Sequence, residues 1–474
     1  MNDYIVSIGL EVHCELKTKT KLLCSCKNEF GVEPNTRVCP VCTALPGAMP
    51  SLSREAVDLA IKAGLALGCE IQKFCKWDRK NFFYPDSPKA WQTTQAELPL
   101  IKGGVVEFDL GGEKKTVRIN RIHLEEDAGK LIHEGNKTFI DLNRCGVPLI
   151  EIVTEPDLHS PEETVAFLEE LKREISYSGV SDVKMQEGSL RVDVNLSVAK
   201  KGENIGERTE TKNLNSFSAV KRSCEYEAKR QADVLEHGGK IYRETRRWDD
   251  VKGEGYVMRG KEDMDDYRYF TEPDLQPVVL SDQYIEKLAL SLPESAKKRV
   301  RRYIEQFNLP EYDAKVLTAD KQISDLYDDV VGRGADPKKA SNFIMGSVMR
   351  LMKENDGKIC VNASQIALLL NLVAEGRISL STAKDIVLPA IGSDNDNPLE
   401  IAEKKGVLQI NDLNAAEELV DKVLSENKKA VDDYVAGNKK VISFLTGAVM
   451  KASGGRFSPG LVSKTIIKKL NQKE

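Results

Sequence analysis

The chain has no apolar run approaching the roughly 20 residues that a membrane span requires. Its start, MNDYIVSIGLEVH, offers neither a basic stretch followed by an apolar core nor an Arg-rich, acid-poor helix, so no targeting segment is expected. Ten cysteines in 474 residues are too few for a disulfide scaffold. A reducing cytoplasm with one metal site is the expectation instead. No Walker A loop, no GxGxxG and no kinase signature set occurs. Any nucleotide site must therefore be built on a sheet, not on a glycine-rich loop. RRM and KH signatures are also missing, so contact with RNA would rest on shape and backbone.

What is present is an ordinary globular composition, 41% hydrophobic and 30% charged, in a chain too long for a single core. The net charge of −5 is uneven. From Val435 onward there are eight Lys/Arg against Glu474 alone, which makes the tail +7 and everything before it −12. An acidic body with a basic tail suggests a polyanionic partner for the tail, although a solvated Lys-rich helix end would look the same.

Up to about residue 290, alternating runs such as VSIGLEVHCEL, KTVRIN, SLRVDVNLSV and GYVMRG read as half-buried strands. Between them SPEETVAFLEELKREISYSG reads as a helix, with Ser160 as N-cap, Pro161 at the first turn and Glu163 at the capping-box position. This mixture predicts an α+β fold with mixed or antiparallel sheets. After Pro293 the pattern becomes helical throughout, broken by the polar loop GSDNDNPLE. Gly454-Gly455 is expected to end one late helix and Pro459 to begin the next. The expected division is 1–292, 293–399 and 400–474. The pentapeptide TEPDL occurs at 154–158 and again at 271–275, through duplication or coincidence.

Two kinds of candidate site stand out. Cys24-x-Cys26 and Cys39-x-x-Cys42 are close thiolate pairs joined by a Gly/Pro/Asn loop, a spacing that suits a closed tetrahedral zinc within an insertion at about 22–44. The second kind is a set of polar strand faces. In IGLEVHCEL, Glu11, His13 and Glu15 share the face opposite Ile8, Leu10, Val12, Cys14 and Leu16. In RIHLEEDAG, Arg121, His123 and Glu125 oppose Ile122 and Leu124, with Glu126 and Asp127 at the strand end. Glu151 lies among aliphatics in VPLIEIVTEPDL, and Arg191, Asp193 and Asn195 oppose a valine-rich face. Lining one concave sheet, these faces would make a hard-oxygen Mg²⁺ site with basic residues nearby for phosphate. Separate solvated strands would carry the same alternation.

The segments VSIGLEVHCELKT, DRKNFFYPDSPKAWQTTQ, RIHLEEDAGK, DLNRCGVPLIEIVTEPD, DVKMQEGSLRVDVN, TETKNLNSF and DDYRYFTEPDL together resemble the B-subunit family of bacterial glutamine-dependent tRNA amidotransferases, GatB/GatE. The closing helical unit is similar to that family's YqeY-type tail. The resemblance implies a glutamine-synthetase-like catalytic (cradle) domain, an all-α middle domain and an all-α tail. It implies ATP- and Mg²⁺-dependent phosphorylation of the side-chain carboxylate of Glu-tRNA(Gln) and/or Asp-tRNA(Asn), then amidation by ammonia. The ammonia would come from an amidase-type A subunit in a heterotrimer with a small C subunit. This chain shows no amidase Gly/Ser-rich signature with a catalytic Lys and Ser pair, so it is not expected to consume glutamine itself.

Carried onto this sequence, the implied Mg²⁺ ligands are Glu11, His13, Glu125, Glu126 and Glu151, with strand parity favouring Glu125 over Glu126. Arg79, Lys80, Arg191, Asp193, Lys212, Asn213 and Arg268 are the implied contacts for ATP and the acyl end; of these, Lys80, Arg191 and Asp193 join the metal ligands as the catalytic set. Tyr84 and Trp91 would line an ammonia route or grip the tRNA 3′ end. Lys439, Lys440, Lys451, Arg456, Lys464, Lys468 and Lys469 would meet tRNA phosphates. Lys297, Lys298, Arg299, Arg301 and Arg302 form a second basic run, for which a solvated helix face is the favoured reading. A tRNA-binding scaffold without chemistry is the alternative reading.

Overall fold

The computed structural model describes residues 3–260, 264–355, 357–409, 413–435, 438–453 and 457–471. The chain divides into two compact units, 1–296 and 297–474.

In the first unit, period-2 alternation produces the strands that carry the site: β1 (Tyr4–Glu15), β2 (Asp78–Asn81), β3 (Trp91–Thr94), β4 (Glu113–Glu126), β5 (Pro148–Thr154), β6 (Leu190–Lys200), β7 (Thr209–Leu214), β8 (Glu244–Asp249) and β9 (Glu254–Gly260). A ten-stranded sheet runs β9-β8-β7-β6-β1-β5-β4 and continues through the short strands Ile101–Lys102 and Glu70–Ile71, with Val105–Leu110 also on β4. Every pairing along it is antiparallel except β7 with β8. Strand β1 therefore lies in the middle, with its backbone bonded on both sides.

One face of the sheet is the core. Ile8, Leu10, Val12 and Cys14 of β1 are buried, and burial pushes the Cys14 thiol up to about 12. Three helices, α1 (Arg54–Ala66), α2 (Pro161–Ser178) and α3 (Phe217–Glu236), lay their apolar stripes on that face, including Ile61, Phe167, Leu171, Val220 and Cys224. The start of α2 departs from the reciprocal box. Ser160 Oγ accepts from Glu163 N at 3.1 Å, but the Glu163 carboxylate accepts from His159 N at 2.7 Å, not from the N-cap amide. Gly179 ends the helix in the left-handed region, at φ +75°.

Strand β6 outlasts its neighbour β7, and a side chain from α3 takes over the unpaired edge. Gln231 Oε1 accepts from Val198 N at 3.0 Å, while its amide donates to Leu196 O, Thr209 Oγ1 and Glu227 Oε1. The two TEPDL segments share a local device. Glu155 N donates to Arg118 O and Glu272 N to Trp77 O, at 2.9 and 2.8 Å, and each copy's acids grip an arginine on the neighbouring strand. Asp157 binds Arg118 through Nε (2.8 Å) and Nη2 (2.6 Å), and Glu272 binds Arg79 through the same two atoms (2.7 Å each).

All described elements of the second unit are helical. One apolar cluster gathers Tyr303, Tyr327, Phe343, Ile366 and Leu369, with the rings of Tyr303 and Tyr327 4.8 Å apart. The loop at Gly392–Asn397 is organised by Asp396, which accepts from Gly392 N (2.7 Å) and Ser393 N (3.0 Å). It leads into helix Pro398–Lys404, whose Ala402 joins this cluster. Another cluster, Val420, Leu445, Val449, Val462 and Ile466, holds the closing helices, and Pro459 does begin the last of them, Pro459–Leu470. Gly454 and Gly455 lie outside the described residues. Part of the basic run turns inward: Arg299 Nη1 donates to Ser324 Oγ and meets Asp325, and Arg302 forms two bonds to Asp328.

Replacing Gln231 by Leu strands a buried amide and a buried carbonyl at the edge of β6. Each unsatisfied group costs about 1–3 kcal/mol, so Gln231→Leu should lower the urea midpoint of the first unit. That transition can be followed by tryptophan fluorescence alone, because all three tryptophans, Trp77, Trp91 and Trp248, lie in this unit.

Candidate functional site

The side of the sheet away from the helices is built in rungs. Antiparallel register sets His13 opposite Glu151 on one side and Arg191 on the other, and Glu151 opposite His123. Directly paired residues project to the same face, so Arg191, His13, Glu151 and His123 form one row across four strands. A neighbouring row brings Glu15 and Glu125 to either side of Leu149, and another sets Glu11 beside Asp193.

Ligating atoms of His13, Glu125 and Glu151 lie within 4.8 Å of one another, a group that can hold a metal ion. His13 Nε2 stands 3.4 Å from Glu125 Oε1 and 3.8 Å from Glu151 Oε2. His123 Nε2 stands 3.1 Å from Glu151 Oε2 and 3.8 Å from Glu125 Oε2, while its Nδ1 is buried with no hydrogen-bond partner. Burial works to raise the Glu151 pKa, but His123, then His13 and Lys80, outweigh it and hold the carboxyl well below the usual carboxylate range. Lys80 arrives from β2. Burial works against its ammonium, yet Tyr269, Glu125 and Glu151 raise its pKa on balance.

The predicted ligands thus separate. Glu125 meets His13, and Glu126 does not. Glu126 is buried at the strand end, where its carboxylate accepts from Lys89 Nζ and from Thr93 N (2.8 Å). Glu11 belongs to a second acidic group with Asp193 and Glu210, whose ligating atoms also lie within 4.8 Å of one another. Lys212 Nζ sits 2.6 Å from Asp193 Oδ2 and 3.2 Å from Glu210 Oε1, and Asn195 donates to Glu11 at 2.9 Å. A bulge places Lys212 there: Val192 pairs with Leu214 and Val194 with Thr211, so Lys212 and Asn213 both face Asp193. Asn213 takes φ +69°, and its side-chain amide donates to Trp248 O at 2.9 Å.

The other predicted cations are mostly committed to protein partners. Arg79 binds Glu272 through two atoms and Asp274 at 3.0 Å, with its guanidinium 4.0 Å from the Trp91 ring centroid. Arg191 binds Asp127 at 3.1 and 2.7 Å. Arg268 is exposed and lies over the Phe83 ring. In the tail, Lys468 and Lys469 pair with Glu417 and Asp421 at 2.9 and 2.7 Å. Lys439, Lys440, Lys451 and Lys464 are exposed, and Arg456 lies outside the described residues.

Beside the His13 cluster opens a cavity of about 220 Å³, walled by His13, Glu125, Asp127, Arg191, Lys89 and Trp91 among others. Tyr84 stays outside it, exposed, edge-on to Phe82, which lines the cavity. The cysteine insertion backs one wall. The sulfurs of Cys24, Cys26, Cys39 and Cys42 lie within 4.8 Å of one another, so all four can reach one ion. Lys21 is fully buried, with Nζ 3.6 Å from Cys42 Sγ and 3.2 Å from Leu142 O. A lysine takes such a position beside an anion, which fits a thiolate set. The Cys24 thiol, hydrogen-bonded to Cys42, lowers the Cys42 pKa to about 5, and Lys21 assists. Leu22 N donates to Gly146 O and Cys145 Sγ to Cys42 O, tying the insertion to the cavity wall.

His123, Lys89, Lys21 and Glu210 were not among the expected site residues. His123 sat on the expected face, and only the register shows its contact with Glu151. Lys89 and Lys21 come from segments without periodicity.

Sequence comparison gives matches along the chain. Residues 6–286 match the profile described as GatB/GatE catalytic domain, and residues 325–470 that described as GatB domain. Among similar proteins, the aspartyl/glutamyl-tRNA(Asn/Gln) amidotransferase B subunit from Caldicellulosiruptor bescii is 49% identical over 99% of this chain and 100% of its own length. Its counterparts from Thermoanaerobacter pseudethanolicus and Carboxydothermus hydrogenoformans are 48% and 46% identical, each over 99% of this chain and 100% and 99% of their own lengths.

Glu15 supplies a pH test of the site. Burial and then the neighbouring Asp127 push its carboxyl up to about 7. The folded state therefore holds a proton that the unfolded chain releases near pH 4.3, and stability is lost as pH rises from there to about 7. Glu15→Gln should match the parent in urea unfolding at pH 4 and exceed it at pH 8.

Proposed function

The chain belongs to the GatB/GatE family, and from that premise we propose that it activates the side-chain carboxylate of a misacylated tRNA for amidation. The substrates are Glu-tRNA(Gln) and/or Asp-tRNA(Asn), with ATP as phosphoryl donor. The observation that carries the reading is the convergence of His13, Glu125 and Glu151 from three strands onto one point beside a cavity, with the half-buried Lys80 adding positive charge that acts on the two carboxylates. The carboxylate oxygens of Glu125 and Glu151 suit a hard divalent cation such as Mg²⁺, with His13 beside them; when bound, the ion supplies charge neutralisation for phosphoryl transfer.

A carboxylate is a poor electrophile because its oxygen leaves badly. One oxygen of the substrate carboxylate attacks the γ-phosphorus of ATP, the bond to ADP breaks, and an acyl phosphate forms. Ammonia then attacks the acyl carbon, phosphate leaves with the C–O bond electrons, and a proton is lost from nitrogen. Phosphoryl transfer between two anions needs positioning and neutralisation more than covalent help. Arg191, oriented by Asp127, supplies positive charge at the cavity, and Lys80 supplies it to Glu125 and Glu151. Arg79, locked onto Glu272, holds Trp91 and strand β2 in place, a role distinct from phosphate binding. Asp193 and Lys212 set the charge of the adjoining second acidic group.

In this reading the four cysteines hold a structural zinc that stiffens the cavity wall. An amidase-type A subunit delivers ammonia from glutamine, and a small C subunit completes a cytoplasmic heterotrimer. The tail (400–474) meets tRNA phosphates through its exposed Lys439, Lys440, Lys451 and Lys464.

Two outcomes test this. Glu151→Gln should lower tRNA-dependent ATP hydrolysis by about 100-fold or more while tRNA binding by filter assay stays within twofold. Unchanged hydrolysis would favour a scaffold without chemistry. Cys39→Ser should lose the bound zinc found by elemental analysis of the parent, and amides of Leu22 and the Leu142–Gly146 wall should exchange faster in deuterated water.

A further inference from the structure

At the rim of the cavity the segment DRKNFFYPDSP leaves aromatic surface uncovered. Phe83 is 74% exposed and Tyr84 53%, although Phe82 beside them lines the cavity. A phenylalanine left in water forgoes roughly 1.5–3 kcal/mol of burial, so the position calls for an explanation. The ring has a cation over it: the Arg268 guanidinium stands 5.9 Å from its centroid. Arg268 is held there by a strained backbone. It takes φ +45°, which a non-glycine residue rarely adopts. Asn81, two residues before Phe83, donates through Nδ2 to Arg268 O (2.8 Å) and to Tyr267 O (3.2 Å). The chain that carries the ring thus also fixes, two residues earlier, the residue that caps it. Two hydrogen bonds keep this strained conformation in place.

An exposed ring paired with a guanidinium is the arrangement that seats an unstacked nucleobase. The substrate's chemistry says where such a base must be. An aminoacyl group is esterified to the ribose of the terminal adenosine, so a cavity that takes the side-chain carboxylate must have that adenine within one nucleotide of it. Tyr267, next to Arg268, has the Lys80 ammonium 4.8 Å from its ring centroid, and the charges of Glu125 and Glu151 act on Lys80 in turn.

We propose that Phe83 and Arg268 form the seat for the terminal adenine of the tRNA acceptor end, a reading that rests on the tRNA substrate proposed above. ATP carries the same base, and the test separates the two sources. The full-length chain, purified with its partner subunits, is titrated with intact tRNA(Gln) and with the same tRNA lacking its terminal adenosine. Removing the adenosine should weaken wild-type binding about tenfold, within the range of base–aromatic stacking. Phe83→Ala should weaken intact tRNA by a similar factor and show no further loss when the adenosine is absent. Phe83→Trp should restore the dependence, and the KM for ATP should stay within twofold in both variants. Independent, multiplying losses with tRNA-dependent ATP hydrolysis intact overturn the seat alone. A tenfold rise in the KM for ATP with unchanged tRNA binding assigns the ring to the nucleotide and likewise overturns it. Failure of the wild-type complex to bind tRNA overturns the seat together with the function it rests on.

Discussion

The antiparallel register of β1 against β5 is the constraint on which the acidic face depends. It sets His13 opposite Glu151, and from that pairing follow the positions of Glu125 and His123 on one side and Arg191 on the other. A slip of one residue would send His13 into the hydrophobic core and put Val12 or Cys14 on the polar face. Ile8, Leu10, Val12 and Cys14, buried under three helices, prevent that slip. Burial of the apolar face therefore defines the geometry of the polar one.

Around this register the charges are arranged so that few are left alone. Glu151 has two imidazoles, Asp127 has Arg191, Asp193 has Lys212 and Glu126 has Lys89. Buried ionised groups survive when paired. The two TEPDL copies extend the same logic to the edges, where an acid after a strand end grips an arginine on the next strand. The Glu272–Arg79–Trp91 stack is the instance that bears on the cavity, because Trp91 is one of its walls.

Much of this was legible in the sequence, and the limits have a physical cause. Alternation in IGLEVHCEL and RIHLEEDAG identified both faces of β1 and β4 and favoured Glu125 over Glu126 as the inward residue, because side-chain direction along a strand is a local property. Which rungs meet across strands is not local. Glu11 was therefore grouped with His13, although register assigns it to Asp193 and Glu210, and His123 was passed over. Loop cations such as Lys21 and Lys89 have no periodicity to reveal them. Arg79 was read as a contact for ATP and the acyl end, and its partner nearly two hundred residues away, Glu272, leaves no local trace. In the second unit, Arg299 and Arg302 looked like solvated charge, but the helix they belong to turns them toward Ser324, Asp325 and Asp328.

The central strand precedes both of its partners along the chain, since β5 and β6 begin only at Pro148 and Leu190. Contacts so distant in sequence form late and at an entropic cost. A nascent chain thus exposes one half of a two-faced strand until synthesis has passed Lys200, where β6 ends. During that interval the sheet on either side of His13 is incomplete. A chain terminated before Pro148 therefore lacks Glu151 and the strand that sets His13 beside Glu125, because completion of the sheet and assembly of that group are one event.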